Sequence, residues 1–180
     1  YYLYHAARVR RDPSYSIHYV NALARRAWVE SVMSNAGKDV MAVQTLRNFI
    51  MNAILMVSTT TLLLIGTLTL SGQADTISRS WHAINLGGSH AAELWIAKVM
   101  CLLAVLLVAF FCYALSIRLA NHVLFMLNIP PDVQRQHEAL APGAVAFRLN
   151  RAGQLVAIGM RCYFFAIPLV FWLFGPLYML

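Results

Sequence analysis

Mostly apolar positions run without a charge over 49–70, a stretch of 22 residues, and over 162–180, a stretch of 19. A third run, 94–117, holds Lys98 as its single charge. Crossing the hydrocarbon of a bilayer takes about 20 residues of α-helix, so each run predicts a membrane span. The ends of the runs carry boundary signals. Asp39 after Gly37 predicts an N-cap with a helix starting near Val40, and Gly72 ends it. The second helix is predicted from about Ala91 to Leu127, where Asn128-Ile129-Pro130-Pro131 stops it. The third is predicted to begin near Ala144, to kink at Pro168 and to be distorted or ended by Gly175-Pro176. Lys98 stands one turn inside its span, within reach of an interface for a snorkelling side chain.

Ahead of the first run the pattern changes. Tyr1, Tyr2 and Tyr4 followed by Arg8, Arg10 and Arg11 read as the tail of a helix leaving a membrane, which predicts a further span before Tyr1. Segment 14–35 is helical by propensity after Pro13 and Ser14. Ile17, Val20, Ala24, Ala27 and Trp28 fall on one side of it, Arg25, Arg26 and Glu30 elsewhere, with Leu23, Val29 and Met33 blurring the division. This predicts an interfacial helix that both lies on the membrane surface and packs beneath the bundle. The fold expected is an all-α integral membrane bundle, one domain over 1–180. Its parts are a cytoplasmic segment 1–47, spans 49–70, 94–117 and 155–180, an outer loop 72–92 and a cytoplasmic segment 118–154.

Composition excludes the soluble classes. Of the 180 residues, 60% are hydrophobic and 12% charged, against about 45–50% and 25% in soluble domains. Three Cys cannot build a disulfide framework. The formal net charge of +7 is unevenly placed. Segment 1–47 carries Arg8, Arg10, Arg11, Arg25, Arg26, Lys38 and Arg47; segment 118–161 carries Arg118, Arg135, Arg148, Arg151 and Arg161; the loop 72–92 carries Arg79 alone. The positive-inside rule places the two rich segments in the cytoplasm and the loop and C-terminus opposite. Basic residues at membrane boundaries predict anionic lipid as partner and no nucleic acid.

At about 100° per residue, Gln44, Thr45, Asn48, Asn52, Thr59 and Gly66 share one face of the first span. Amides facing lipid lose hydrogen bonds to water without replacement, so this stripe is expected to meet protein, within the chain or from a neighbour, or a water-filled crevice. Ala97, Cys101, Val108, Cys112 and Ser116 share a face of the second span, where small residues allow close packing. Gly153 and Ala157 offer a small-xxx-small pair at the entrance of the third. A sharper expectation is a polar path between Asn48 and Asn52 of one helix and Ser116 of another.

Candidate chemistry is sparse. Arg47, Arg118 and Arg161 stand where three helices meet the cytoplasmic interface, either as snorkelling anchors or as a basic collar for a lipid headgroup or small anion, with Asn48, Ser116 and Asn121 as donors. His82, His90 and Glu93 are too few and too loosely patterned for a predicted metal centre. Cys101 and Cys112, eleven residues apart on one helix, cannot bridge, and with Cys162 they read as small packing residues. No phosphate-cradling glycine loop, paired carboxylates or nucleophile elbow is present, so neither enzymatic activity nor a cofactor is expected.

NALARRAWVE (21–30), AVQTLRNFIM (42–51), FFCYALSIRLAN (110–121), LNIPPD (127–132) and FGPLYML (174–180) occur in that order. Together they resemble the bacterial and plant membrane family catalogued as domain of unknown function 599. The resemblance implies a four-helix membrane protein and brings no established activity, cofactor or catalytic residues. The expected role is noncatalytic: an oligomer or an accessory, structural subunit of a larger membrane complex, with a respiratory or photosynthetic assembly as one compatible host. A homo-oligomeric channel or transporter for a small ion or solute is the alternative. The partners expected are anionic lipid and other membrane subunits or copies of the chain itself.

Overall fold

The computed structural model describes residues 15–35, 37–72 and 92–174. Among them are five α-helices and no strand: α1 (Ile17–Ser34), α2 (Asp39–Gly72), α3 (Ala92–Leu127), α4 (Pro131–Gln136) and α5 (Pro142–Phe174), with a 3-10 turn at Glu138–Leu140. Helices α2, α3 and α5 are each long and apolar enough to cross a membrane. The chain is a multi-pass, all-α membrane protein. The stretch before Tyr15, the outer loop with His82 and His90, the side chain of Glu93, and Gly175-Pro176 lie outside the described residues.

Local signals set the boundaries to within a turn. The Asn35 side chain donates to the Ser31 carbonyl at 2.8 Å, satisfying an orphan acceptor at the end of α1. Gly37 then turns the chain with φ +105, a conformation that costs a side-chain-bearing residue. Asp39 is the first helical residue of α2 instead of its cap; Lys38 supplies the first carbonyl, accepting from the Ala42 N–H at 3.0 Å. Pro131 opens α4 and Pro142 opens α5, where a missing N–H is harmless, so α5 starts two residues earlier than predicted. Helix α5 continues through Pro168 to Phe174.

The chain divides into two compact units. The first comprises Tyr1–Ile50 and Arg118–Gly153. Its core is Val29 and Val32 of α1, Ala42 and Leu46 of α2, Val123 and Leu127 of α3, and Val145, Ala146 and Leu149 of α5. Segments far apart in sequence, both rich in Arg, are therefore gathered in one unit.

The second comprises Met51–Ile117 and Gln154–Leu180. Val99, Leu102 and Leu106 of α3 pack there with Ala166 and Leu173 of α5, flanked by Leu64, Trp95 and Tyr163. Large apolar side chains such as Leu62, Phe111 and Phe164 point outward, as expected of a surface that meets acyl chains.

Buried positions of α3 recur as Val99, Leu102, Leu106, Ala109, Tyr113, Ser116, Ala120, Val123 and Leu127. The spacing alternates three and four, the seam of a heptad. This corrects the face expected from small residues: Ala97, Cys101 and Val108 are exposed, Cys112 is half-buried, and only Ser116 is fully buried. Between helices in lipid, van der Waals packing supplies the attraction, and the larger Leu and Tyr side chains offer more of it.

Candidate functional site

Polar chemistry in these units is found first on the amide face of α2, at the arginines of the helix ends, and in a cleft on α1 that holds Arg25.

The α2 face is turned outward. Inside the chain, α2 is buried through Ala42, Leu46, Ile50, Ala53, Thr60 and Thr67. Gln44, Thr45, Asn48, Asn52, Thr59 and Gly66 are all exposed. At about 100° per residue the two sets are centred on directions about 130° apart. Thr45 and Thr59 donate to their own helix, to the Met41 and Leu55 carbonyls at 2.9 Å each. Gln44, Asn48 and Asn52 make no side-chain hydrogen bond among the described residues. A Cβ added at Gly66 would meet nothing within 4 Å. Among the described residues the stripe is therefore left uncovered, and Ser116, the far end of the expected polar path, is fully buried.

The arginine collar is likewise on the outside. Arg47, Arg118 and Asn121 are exposed members of the first unit, and Arg161 is an exposed member of the second. Arg148 is engaged elsewhere: its Nη1 donates to the Ala139 carbonyl at 2.8 Å, tying α5 to the 3-10 turn.

Helix α1 corrects its predicted faces. Val29 and Val32 are buried, and Ala22, Arg25, Trp28 and Met33 are partly buried. Ile17, Val20, Ala24 and Ala27, most of the side expected to be apolar, are exposed, as is Leu23. The helix therefore has two apolar faces. One sits on the unit's core and the other is open.

The neighbouring arginines separate accordingly. Arg26 stays on the surface, where its Nε donates to Glu30 Oε1 at 2.9 Å. Arg25 turns inward and lies against Gly153, where an added Cβ would stand 2.6 Å from the guanidinium Cζ. Gly153, predicted to admit another backbone, instead admits this side chain. Arg25 Nη1 donates to Asn150 Oδ1 at 3.4 Å, and Asn150 Nδ2 donates to the Ala22 carbonyl at 3.2 Å. Burial lowers the Arg25 pKa from its ordinary value. Beside it is a cleft of about 280 Å³ lined by Trp28, Thr45, Leu46, Phe49 and Leu149. Sequence reasoning placed Arg25 among the polar positions. No periodicity distinguishes it from Arg26, because the inward face of α1 is chosen by α5.

A second, larger cleft of about 670 Å³ is lined by Met33, Asn35, Asp39, Gln44, Asn128 and Gln134, among others. Residues 127–130, the first part of the LNIPPD block, form one wall of it. Among the described residues no three His, Cys, Asp or Glu converge to hold a metal ion.

In the second unit a polar knot joins α2 to α5. Thr60 Oγ1 and Tyr163 Oη hydrogen-bond to one another, and both lie within donating distance of the Met56 carbonyl, at 2.6 and 2.9 Å; with one proton apiece, one hydroxyl donates to the other, which donates to the carbonyl. Lys98 Nζ donates to the Trp172 carbonyl at 3.0 Å and lies 5.1 Å from the centre of the Trp172 ring. The lysine thus caps the last turn of α5 from inside the same unit, a more specific role than snorkelling alone.

No curated protein and no solved structure matches the chain. The sequence model of the family described as "Protein of unknown function, DUF599" matches residues 1–180. The expected resemblance extends over the full sequence, and the chain belongs to the DUF599 family.

Proposed function

We propose that this protein is a noncatalytic, multi-pass component of a larger membrane assembly, held to its neighbours through the outward amide face of α2. The observation that carries this reading is the pair Asn48 and Asn52. Both are exposed, neither makes a side-chain hydrogen bond among the described residues, and Asn52 lies inside the uncharged run 49–70. An amide left unpaired in hydrocarbon costs roughly 2–7 kcal/mol. A second polypeptide against this face removes that cost. Asn donates and accepts, so such a face complements a copy of itself. Gly66, on the same face with open space before it, lets a partner helix approach closely.

The same face, repeated around a ring of copies, would line a water path. Its three unpartnered amides favour this homo-oligomeric channel as the second reading. The arginine distribution supports an orientation with 1–47 and 118–154 in the cytoplasm and the loop 72–92 and C-terminus opposite.

The deciding experiment is the mass and subunit composition of the particle extracted into lipid nanodiscs, for the wild type and for Asn48→Leu/Asn52→Leu. The expected result is a particle larger than one chain that falls to a single chain in the double variant. A wild-type particle containing one chain and no other subunit overturns the proposal. Identical copies together with ion conductance in planar bilayers establish the channel reading. Orientation is checked by labelling His137→Cys, in a background lacking the native cysteines, with a membrane-impermeant maleimide. Protection in intact cells and labelling after lysis is the expected outcome.

A further inference from the structure

Among the described residues, Arg25 has no opposite charge to answer its own. It sits on the face of α1 that packs on the first unit, between Ala22 and Val29, although the next residue, Arg26, takes the ordinary surface position with its own carboxylate. A guanidinium has five N–H donors. One of the five is occupied, by the long bond to the neutral Asn150 amide, and no carboxylate among the described residues pairs with the group. Asn150 is itself oriented by the Ala22 carbonyl, and Gly153 supports the guanidinium from α5. The cation is therefore held in place with most of its fork still open. A partly buried charge held without a partner is costly unless something supplies the counter-charge.

The adjoining cleft shows what kind of molecule would supply it. Arg25 is its only charged residue, and Ala24, Trp28, Leu46, Phe49 and Leu149 give it apolar walls. Thr45 contributes a hydroxyl whose proton is already committed to the Met41 carbonyl. Phe49 begins the uncharged run of α2, so the cleft opens where headgroup gives way to acyl chain. Trp is the side chain favoured at that depth.

We propose that this cleft is a binding site for one anionic phospholipid. The phosphate accepts hydrogen bonds from the free edge of the Arg25 guanidinium, in the bidentate geometry that Arg favours, and the first part of an acyl chain lies against Trp28, Leu46, Phe49 and Leu149. A free inorganic anion uses only the charged end and leaves those walls uncovered. This site is distinct from the exposed collar of Arg47, Arg118 and Arg161; it shares Thr45 with the outward face of α2, and its charged end is Arg25 of α1.

The test is titration of the purified full chain, in phosphatidylcholine nanodiscs, with phosphatidylglycerol, read as retained lipid by native mass spectrometry. Wild type and Arg26→Gln are expected to retain one phosphatidylglycerol alike, whereas Arg25→Gln weakens retention by about tenfold or more. Ala24→Trp fills the cleft from an exposed position and leaves Arg25 in place; it is expected to weaken retention without loss of fold. Millimolar inorganic phosphate is expected not to compete. Wild-type retention in both Arg25→Gln and Ala24→Trp overturns the site. Equal loss in Arg26→Gln overturns it in favour of diffuse surface attraction, and full competition by phosphate overturns the lipid in favour of a free anion.

Discussion

The ring of Tyr113 covers Gly159 so closely that a Cβ on the glycine would stand 2.6 Å from the ring Cζ. Tyr113 is fully buried on the heptad seam of α3, and its ring lies 5.7 Å from that of Tyr163. It has no free direction in which to retreat.

Gly159→Ala is therefore expected to destabilise the fold by about 1–3 kcal/mol, the usual cost of overpacking. Thermal unfolding in detergent micelles measures it. Tyr113→Leu combined with Gly159→Ala is expected to recover part of the loss. Gly153→Ala offers the contrast. Its Cβ would meet the flexible end of Arg25 at the same 2.6 Å, so the side chain moves and the stability change stays smaller than at Gly159. Similar losses at the two glycines would contradict this account.

Tyr113 Oη is buried with no hydrogen-bond partner among the described residues. Removing an unsatisfied buried hydroxyl relieves a desolvation cost of about 1–3 kcal/mol. Tyr113→Phe is expected to raise the unfolding temperature, and a fall would show that the hydroxyl is satisfied in the membrane.

Thr60, Tyr163 and the Met56 carbonyl act as one polar knot. Tyr163→Phe and Thr60→Val are each expected to destabilise, with a coupling between them of about 0.6 kcal/mol and no more than about 1.7, the range for hydrogen bonds between membrane helices. A double-mutant cycle on unfolding free energies reads the coupling directly. Strict additivity would mean the two hydroxyls do not bond in the membrane.

Lys98 completes the end of α5 by donating to the Trp172 carbonyl. Its charge complements the helix dipole there, an effect of about 0.3–1 kcal/mol, and the Trp172 ring adds a cation–π contribution. Lys98→Met keeps the length and apolarity of the span. It is expected to lower stability by about 1 kcal/mol and to raise amide hydrogen exchange in the last turn of α5. Unchanged exchange would show that the lysine serves only as an interfacial anchor.

The span boundaries were legible because each depends on a local signal. Helix α3 stops at Leu127, before Asn128–Pro131, as read, and α2 starts at Asp39, one residue earlier than read, with the Lys38 carbonyl accepting its first hydrogen bond. The site was less legible. Gln44, Asn48 and Asn52 share one face of α2, but a helical wheel states only that residues share a direction, and among the described residues all three are exposed. Arg25 and Gly153 were each noted for reasons that do not involve the other. Separated by more than a hundred residues, they are paired only by the packing of α1 on α5.

Composition and run length alone determined that this is a multi-pass membrane protein with three candidate spans in this chain, because the thickness of hydrocarbon fixes the helix length needed to cross it. Which face of each helix turns inward was decided only by tertiary structure. Lipid tails are as apolar as a leucine-lined core, so hydrophobicity does not select the inward side. Shape does, and the fit of Tyr113 on Gly159 and of Arg25 on Gly153 exists only once the helices are side by side.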